Sequence, residues 1–556
     1  MKRYASLSMI YCTGVCLTTA CAEPASVGAE GDTGGTLVVS AFADPGSLFP
    51  PLMQTMQAKQ IAEQIYDYLA DVGPGMNTRG DKDFRKQLTD AWKWSDDSLS
   101  IAFHLNPAAR WHDRTPVTAR DVRFTFGLFT NPSVAVSAGL ELSQIDSVSA
   151  PDSLTAVFWF KRRYATQFLD AAAQMLILPA HLLERVTPDS LRKITIPPVG
   201  TGRFRLRKWD KGSSVELVSD SGNYRGRARL DRVIWSVAPE FSTAVTKLFT
   251  GTADLFDGMR SENIEEVSRH PDLRVVALPA LDYVFLQFNL RDPAFHSRPH
   301  RLFADRNMRR AIAMSIERDL LVRSLFDTLA VVPSGPTVRA YPTTNPGIRQ
   351  IPFDSARAGN ILDSLGWSRR NADGIRARDG RELAFTVLVT TSSMSRMRMA
   401  VLLQAQLRRA GIRMNIDRMD YTAFVSRWSG RKFDAALGSW NMGSTPGGTP
   451  HAWGTVGIGQ EGTNFGSYTN EVFDAQLDEA LGARDPETAR AKFTRAYETI
   501  NDDAPAIWLY EPKTVIGIHR RIRTTSLRPG AWWFDLASWW IPTAERLPGD
   551  QIPAGR

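Results

Sequence analysis

The chain has 556 residues, 67 Lys and Arg against 59 Asp and Glu, and a net charge of +8. That length is more than one hydrophobic core serves, so two or more domains are expected, and the positive charge is spread out without a basic stripe of interleaved aromatics, which argues against nucleic-acid binding. Cysteine is confined to Cys12, Cys16 and Cys21, which excludes a disulfide framework, a Cys-ligated zinc and a cysteine nucleophile from everything downstream.

Residues 1–21 read as an export leader, with Lys2-Arg3 as the positive start and an apolar, small-residue run to Ala20, too short and too polar for a membrane span. Leu17-Thr18-Thr19-Ala20-Cys21 resembles a lipobox, with Thr18 where leucine is usual. It marks Cys21 for acylation and attachment to a membrane surface; the alternative is an ordinary secretory signal cleaved nearby. Residues 22–35 are small, acidic and Gly-rich, a flexible tether.

The fold is expected to begin with a strand at 35–40, followed by a turn at 44–50 and a helical stretch at 57–69 with Ile61, Ile65 and Leu69 on one face. Trp92 and Trp94 share one face of a strand, Ser95-Asp96-Asp97-Ser98 turns the chain, and Ser100 to Leu105 returns as a hairpin partner. Thr118 caps a helix by accepting a bond from the N–H of Asp121, and Val122 and Phe126 point into a core. Strand character returns at 148–160 around Pro151-Asp152. Gly200 and Gly202 are expected to supply positive φ in a tight turn. A helix over 241–249, an apolar strand over 283–289 and one amphipathic helix over 307–325 follow, then a proline-rich loop at 333–352 and a helix at 356–365 ended by Gly366. Strand 383–389, helix 397–410 and strand 413–418 imply a right-handed parallel unit. The pattern closes with a helix at 421–429, a strand at 433–440, a helix at 489–501 and a strand from 505 to 510.

Several of these stretches carry a resemblance. Trp94, Ser95-Asp96-Asp97, Phe103-x-Leu105, Trp111-His112-Asp113 and Thr115-Pro116-Val117-Thr118-Ala119-x-Asp121-Val122 are similar to the signature block of the family-5 extracytoplasmic solute-binding proteins, the dipeptide, oligopeptide and nickel receptors of ABC importers, with Arg114 in place of the usual Gly. Leu178-Pro179-Ala180-His181-Leu182, Pro198-Val199-Gly200-Thr201-Gly202-Arg203-Phe204, the run from Asn307 to Arg318, and Asn464 to Tyr468 continue it from about Gly35 to Trp540.

The resemblance implies an α/β, two-lobe periplasmic-binding-protein-like fold of class II, the large peptide-binding type, with a hinge and an interlobe cleft. Lobe one is expected at 36–282 and 505–545, lobe two at 283–504 and a tail at 546–556. It implies a monomeric extracytoplasmic receptor that captures a peptide or peptide-like solute and presents it to permease subunits and their ATPases, with no cofactor. Alternatives on the same fold are a periplasmic sensor or chaperone, or a binder of a metal chelate or oligosaccharide. An enzyme is disfavoured: G-x-S-x-G, Walker A and H-E-x-x-H are absent, and Gly457-x-Gly459-x-x-Gly462 lacks a following helix start.

Peptide-binding relatives carry Gly-Trp and, three residues after the Trp, a carboxylate that pairs with the peptide ammonium. Here Ser439 stands at the Gly, Trp440 at the Trp and Gly443 at the carboxylate, so the anchor is missing. The expected pocket is lined by Tyr421, Trp428, Ser439, Trp440, Asn441 and Gly443, with Asp44 and Phe49 from lobe one. Arg427 and Arg431 are candidate carboxylate partners, and His451 is kept as a possible ligand group although no metal site is expected. Trp532, Trp533, Trp539 and Trp540 are read as core of lobe one.

Overall fold

The computed structural model describes residues 32–134, 140, 142–191, 197–459 and 462–550. The leader, Cys21, residues 22–31 of the tether and the last six residues of the tail lie outside the described residues.

A twelve-stranded mixed sheet organises the chain. At its middle lies the 14-residue strand Ala506–His519. Residues 506–510 of it pair antiparallel with Asp282–Phe288, and residues 513–519 pair antiparallel with Leu273–Pro279. On one side follow Ala435–Asn441, Ala384–Thr390 and Arg413–Met419; on the other follow Leu255–Phe256, Thr36–Ala41, Arg232–Val237, Ser214–Ser219 and Phe204–Asp210. The chain therefore crosses between two lobes on Leu273–Phe288 and returns on Ala506–His519. The parallel pairing of Ala384–Thr390 with Arg413–Met419 is the expected strand–helix–strand unit.

Asp282–Phe288 is buried along almost its whole length, as a strand covered on both faces must be. Its alternation feeds two cores. Tyr283 and Phe285 join the larger one with Trp428, Trp453 and Trp508, whereas Val284, Leu286 and Phe288 join the core under the lobe-two helices.

Residues 36–282 contain more than one sheet. Thr89–Trp94, Ser100–Leu105, Thr155–Phe160 and Ile145–Ser149 form a separate antiparallel four-stranded sheet. Ile101, Phe103 and Leu105 face its core, and the indoles of Trp92 and Trp94 both donate to Asp81, at 2.9 and 3.0 Å. Helix Ala119–Phe129 begins with a Thr118–Asp121 capping box. The Asp121 carboxylate also accepts from the Ala180 N–H at 2.8 Å, so one side chain ties the helix start to the next segment.

Two expectations need correction. Gly200 and Gly202 do not adopt positive φ. They are required by close approach, since a Cβ would lie 1.8 Å from the carbonyl oxygen of Ile65 at Gly200 and 2.1 Å from that of Gln64 at Gly202. The single helix over 307–325 is two, Arg306–Met314 and Arg318–Phe326; the Ser315 hydroxyl bonds back to the Ala311 carbonyl at 2.8 Å, and Glu317 leaves helical geometry. Within the expected tail, Asp550 is buried and pairs with Arg521 at 2.5 Å, while Arg521 also pairs with Asp254 at 2.8 Å.

Glu511 sits on the crossing strand and is 2% exposed. One oxygen accepts the Arg339 N–H at 2.8 Å and the other is buried without a hydrogen-bond partner. Burial pushes its carboxyl up to about 7, against the opposing pull of the Arg339 N–H and charge. The folded state thus binds a proton that the unfolded state releases near 4.5, and the associated stability, roughly 3 kcal/mol, is present below pH 4.5 and lost as pH rises through 7. Urea denaturation across this window is expected to show that decline, and Glu511→Gln is expected to flatten it; an unchanged slope in the variant would assign the pH dependence elsewhere.

Candidate ligand-binding cleft

A cavity of about 960 Å³ lies between the lobes. Helix Met56–Ile65 presents Lys59 and Glu63 to it, one turn apart and on the face opposite Ile61 and Ile65. Tyr68, Asp71, Arg79 and the segment from Arg162 to Asp170 extend the lobe-one wall. Lobe two supplies the loop from Met442 to Gly448, His451, and the end of helix Glu471–Gly482 with Asp478.

Most of the buried charge on the wall is already satisfied. Glu63 accepts from the Tyr68 hydroxyl at 2.8 Å and the Trp533 indole at 2.6 Å. Burial first, then the neighbouring Glu63 and Asp71 carboxylates, pushes the Tyr68 phenol well above its ordinary value, so it stays a neutral donor. Asp71 pairs with Arg528 at 2.9 Å in a buried contact. Lys59 and Asp478 are exposed at the mouth.

Arg79 is different. It is 4% exposed and reaches across the cleft, donating to the carbonyls of Leu481, at 3.1 Å, and Ala483. Its guanidinium lies 5.3 Å from the Phe493 ring centroid. Burial lowers its pKa to about 10, yet the group remains a cation. Its counter-charge is the carbonyl end of helix Glu471–Gly482, where a helix favours a cation. Beside it Arg484 donates to Gln167 at 3.0 Å, also across the cleft.

Of the residues expected in the pocket, Gly443 lines this cavity, as does His451. Gly443 has φ +62, and nothing lies within 4 Å of the position a Cβ would take. The Tyr341 hydroxyl, 3.0 Å from the carbonyl oxygens of both Met442 and Gly443, holds the loop. Trp440 and Trp428 stack at 4.9 Å beneath that loop, against Phe465 and Phe285, and neither is on the cavity wall. Trp428 is buried and donates to Gln287 at 2.7 Å. Gly438 is what allows this packing, since a Cβ there would meet Trp428 at 2.7 Å.

The remaining candidates fall elsewhere. Strand alternation turns Ser439 and Asn441 to the opposite face of the sheet from Trp440, where Ser439 accepts from Arg396 at 2.6 Å and Asn441 donates to Asp282 at 3.1 Å. Tyr421 is 60% exposed at the start of helix Tyr421–Ser429 and off the cavity wall. Phe49 is buried in the core beside Pro50, which does line the cavity. Asp44 organises a turn, accepting from the Trp209 indole and the Gly212 and Gly46 N–H groups; burial works to raise its carboxyl, but these bonds hold it below the ordinary value. Arg427 pairs with Asp417 at 2.5 Å, and Arg431 donates to the Ile458 carbonyl. Among the described residues, no group of three His, Cys, Asp or Glu side chains is arranged to hold a metal ion. No helix of the described residues is long and apolar enough to cross a membrane.

Residues 83–502 match the family described as bacterial extracellular solute-binding proteins, family 5, whose members are receptors rather than enzymes. The oligopeptide-binding protein AppA of Bacillus subtilis is 24% identical over 519 residues, covering 91% of this chain and 92% of its own. The solved structure of Bacillus subtilis AppA with a nonapeptide superposes with a TM-score of 0.72 at 22% identity over 92% of this chain and 100% of that one. NikZ of Campylobacter jejuni, solved with Ni(L-His), gives 0.73 at 21% identity over 91% and 99%. The expected two-lobe fold is borne out by these likenesses.

Because Arg79 joins the lobes directly, Arg79→Ala is expected to widen the cleft and to cost about 1–3 kcal/mol of stability. Small-angle X-ray scattering would register the opening as a larger radius of gyration; an unchanged radius and unchanged urea midpoint would show that the contact does not hold the lobes together.

Proposed function

Because the chain belongs to the bacterial extracellular solute-binding proteins of family 5, we propose that it captures a peptide or peptide-like solute between its lobes and delivers it to the permease subunits of an ABC importer. It acts outside the cytoplasm as a monomer, held to a membrane by an acyl group on Cys21, and releases its cargo chemically unchanged. Lobe one comprises 36–282 and 505–545, and lobe two comprises 283–504. The cargo favours the closed arrangement by touching both walls at once.

The observation that carries this reading is the cavity itself: about 960 Å³ between the lobes, the size of a small-molecule or short-peptide site. Both charge signs are present at its mouth, with Lys59, Arg162 and Arg163 from one lobe and Asp478 from the other. The relatives named for oligopeptide binding support a peptide cargo.

Gly443 favours a second reading of cargo chemistry. Gly443 stands where the resemblance implies an ammonium partner, and nothing lies within 4 Å of the position a Cβ would take there, so a solute without a free α-ammonium at that point fits equally well, and His451, on the same cavity wall, suits a chelate. Mass spectrometry of the purified protein, first native and then denatured, separates the two: peptide masses released on denaturation support the first reading, and a reproducible non-peptide mass overturns it. Asp tolerates left-handed backbone, so Gly443→Asp is expected to tighten binding of a peptide with a free N-terminus about tenfold, the size of a charge-assisted hydrogen bond, and to leave an N-acetylated peptide unchanged. Calorimetry showing equal effects on both peptides would place the peptide terminus elsewhere.

A further inference from the structure

A second cavity, of about 550 Å³, lies beyond the end of strand Ala506–His519, at the lobe-one end of the crossing strands. Its walls are Arg274, Arg520, Ile522, Arg523, Thr524 and Trp540. Three guanidinium groups converge there, and of the acids nearby Glu545, Asp254 and Asp550 are already committed, while Asp272, whose backbone carbonyl accepts the Arg520 N–H at 2.7 Å, is exposed. Arg523 pairs with Glu545 at 2.5 Å. Arg521, in the same run, turns inward to Asp254 and Asp550 and consumes both. Arg274 donates to the Ile522 carbonyl at 3.2 Å and the Thr524 hydroxyl at 3.3 Å, both neutral groups. Arg520 is exposed and, among the described residues, has no carboxylate partner.

The fold imposes this crowding. Arg274 is fixed by the ladder in which it opposes Ile518, and Arg523 by a bridge to Trp540. Burial, then the charges of Arg523 and Arg520, holds the Arg274 guanidinium below its ordinary value. Trp540 forms an aromatic wall whose ring also carries the Arg229 guanidinium at 4.2 Å. Arg274, held by neutral acceptors and ion-paired to no carboxylate among the described residues, offers forked donors to an oxyanion at little ordering cost, and the exposed Arg520 can swing to meet the same anion.

We propose that this cavity binds a phosphate group, contacted by Arg274 and Arg520, with Arg523 and Thr524 closing the shell. The phosphate belongs either to the headgroup of an anionic lipid or to a small soluble molecule. The lipid source is geometrically available: Arg229, on Trp540, also faces Asp32 at 3.7 Å, so residues 21–32 could reach at most about 35–40 Å from this cavity to an anchor. That source rests on the anchoring proposed above; the soluble source does not.

The test uses the full chain with Cys21→Ser, so that no acyl group can hold it to a membrane and the anchoring reading is kept out of the readout. Inorganic phosphate is titrated by calorimetry, and sedimentation is measured with phosphatidylglycerol and with phosphatidylcholine vesicles. Each probe is applied to the parent, to Arg274→Gln with Arg520→Gln, and to a charge-matched control, Arg408→Gln with Arg409→Gln on a lobe-two helix. Phosphate binding that weakens about tenfold in the first double variant, and is unchanged in the control, supports the site with a soluble ligand. Retention by phosphatidylglycerol alone, lost in the first double variant only, supports the lipid headgroup. Absence of binding to both phosphate and phosphatidylglycerol by the parent overturns the proposal, as does equal loss in the two double variants, which would reflect net charge. Should the first double variant unfold, Arg520→Gln alone, at an exposed side chain, is expected to weaken binding at least threefold, and no change there overturns the proposal.

Discussion

One strand, Ala506–His519, is hydrogen-bonded to partners in both lobes, and the arrangement of the cleft follows from it. Antiparallel to it runs the outgoing crossing, Leu273–Phe288, broken at residues 280–281 between its two strands. A pair of adjacent strands is stiff within the plane of its ladder and softer to twisting, so relative lobe movement is confined to a narrow set of directions. The far end is locked by the Asp254–Arg521–Asp550 contact, where a cation is removed from water only because two carboxylates meet it. Near the middle, Tyr283, Phe285, Trp453 and Trp508 pack edge to face and fill the space beside the crossing. Among the described residues, the lobes face each other where Arg79 and the Arg162–Asp170 segment lie opposite the Met442–Gly448 loop and the end of helix Glu471–Gly482.

That geometry divides the charges of the cleft into two kinds. Glu63, Asp71 and Arg528 are buried and satisfied within lobe one, so they shape the wall and fix Tyr68 rather than offer themselves to a solute. Lys59, Arg163 and Asp478 are exposed and keep most of their hydration until a ligand arrives. Recognition by the second kind is inexpensive to assemble but weak in water, and it strengthens as closure excludes solvent.

Strands and helices that bury one face were legible in the sequence. Tyr421–Ser429 and Phe241–Phe249 have the expected bounds, and the hairpin at Trp92 and Trp94 forms because alternation there is strict. The misplacements share a cause: they depend on partners distant in sequence. The reason for Gly200 and Gly202 is a helix end some 135 residues earlier. Ser439, Trp440 and Asn441 do not share one pocket, because consecutive strand residues face opposite sides; the alternation is visible in the sequence, but which face meets the cleft is not. Arg79 finds its partners about 400 residues away, and no local pattern announces that. The polar stripe of Lys59 and Glu63 opposite Ile61 and Ile65 was the one available signal for the lobe-one wall.

Protein–protein contacts across the cleft bear on how tightly the protein must hold a solute. Arg79 contributes two bonds from a cation to carbonyls, and Arg484 contributes one to Gln167. Together such bonds favour the closed form by a few kcal/mol at most, opposed by the hydration that both walls lose. A solute that touches both lobes then supplies only the remainder of the free energy of closure, so its observed affinity is reduced less by the cost of bringing the lobes together. The same contacts slow release, because opening must break them whether or not the cargo has been displaced. Affinity and exchange rate in this cleft are therefore set as much by Arg79 and the carbonyl end of the facing helix as by the groups that touch the solute.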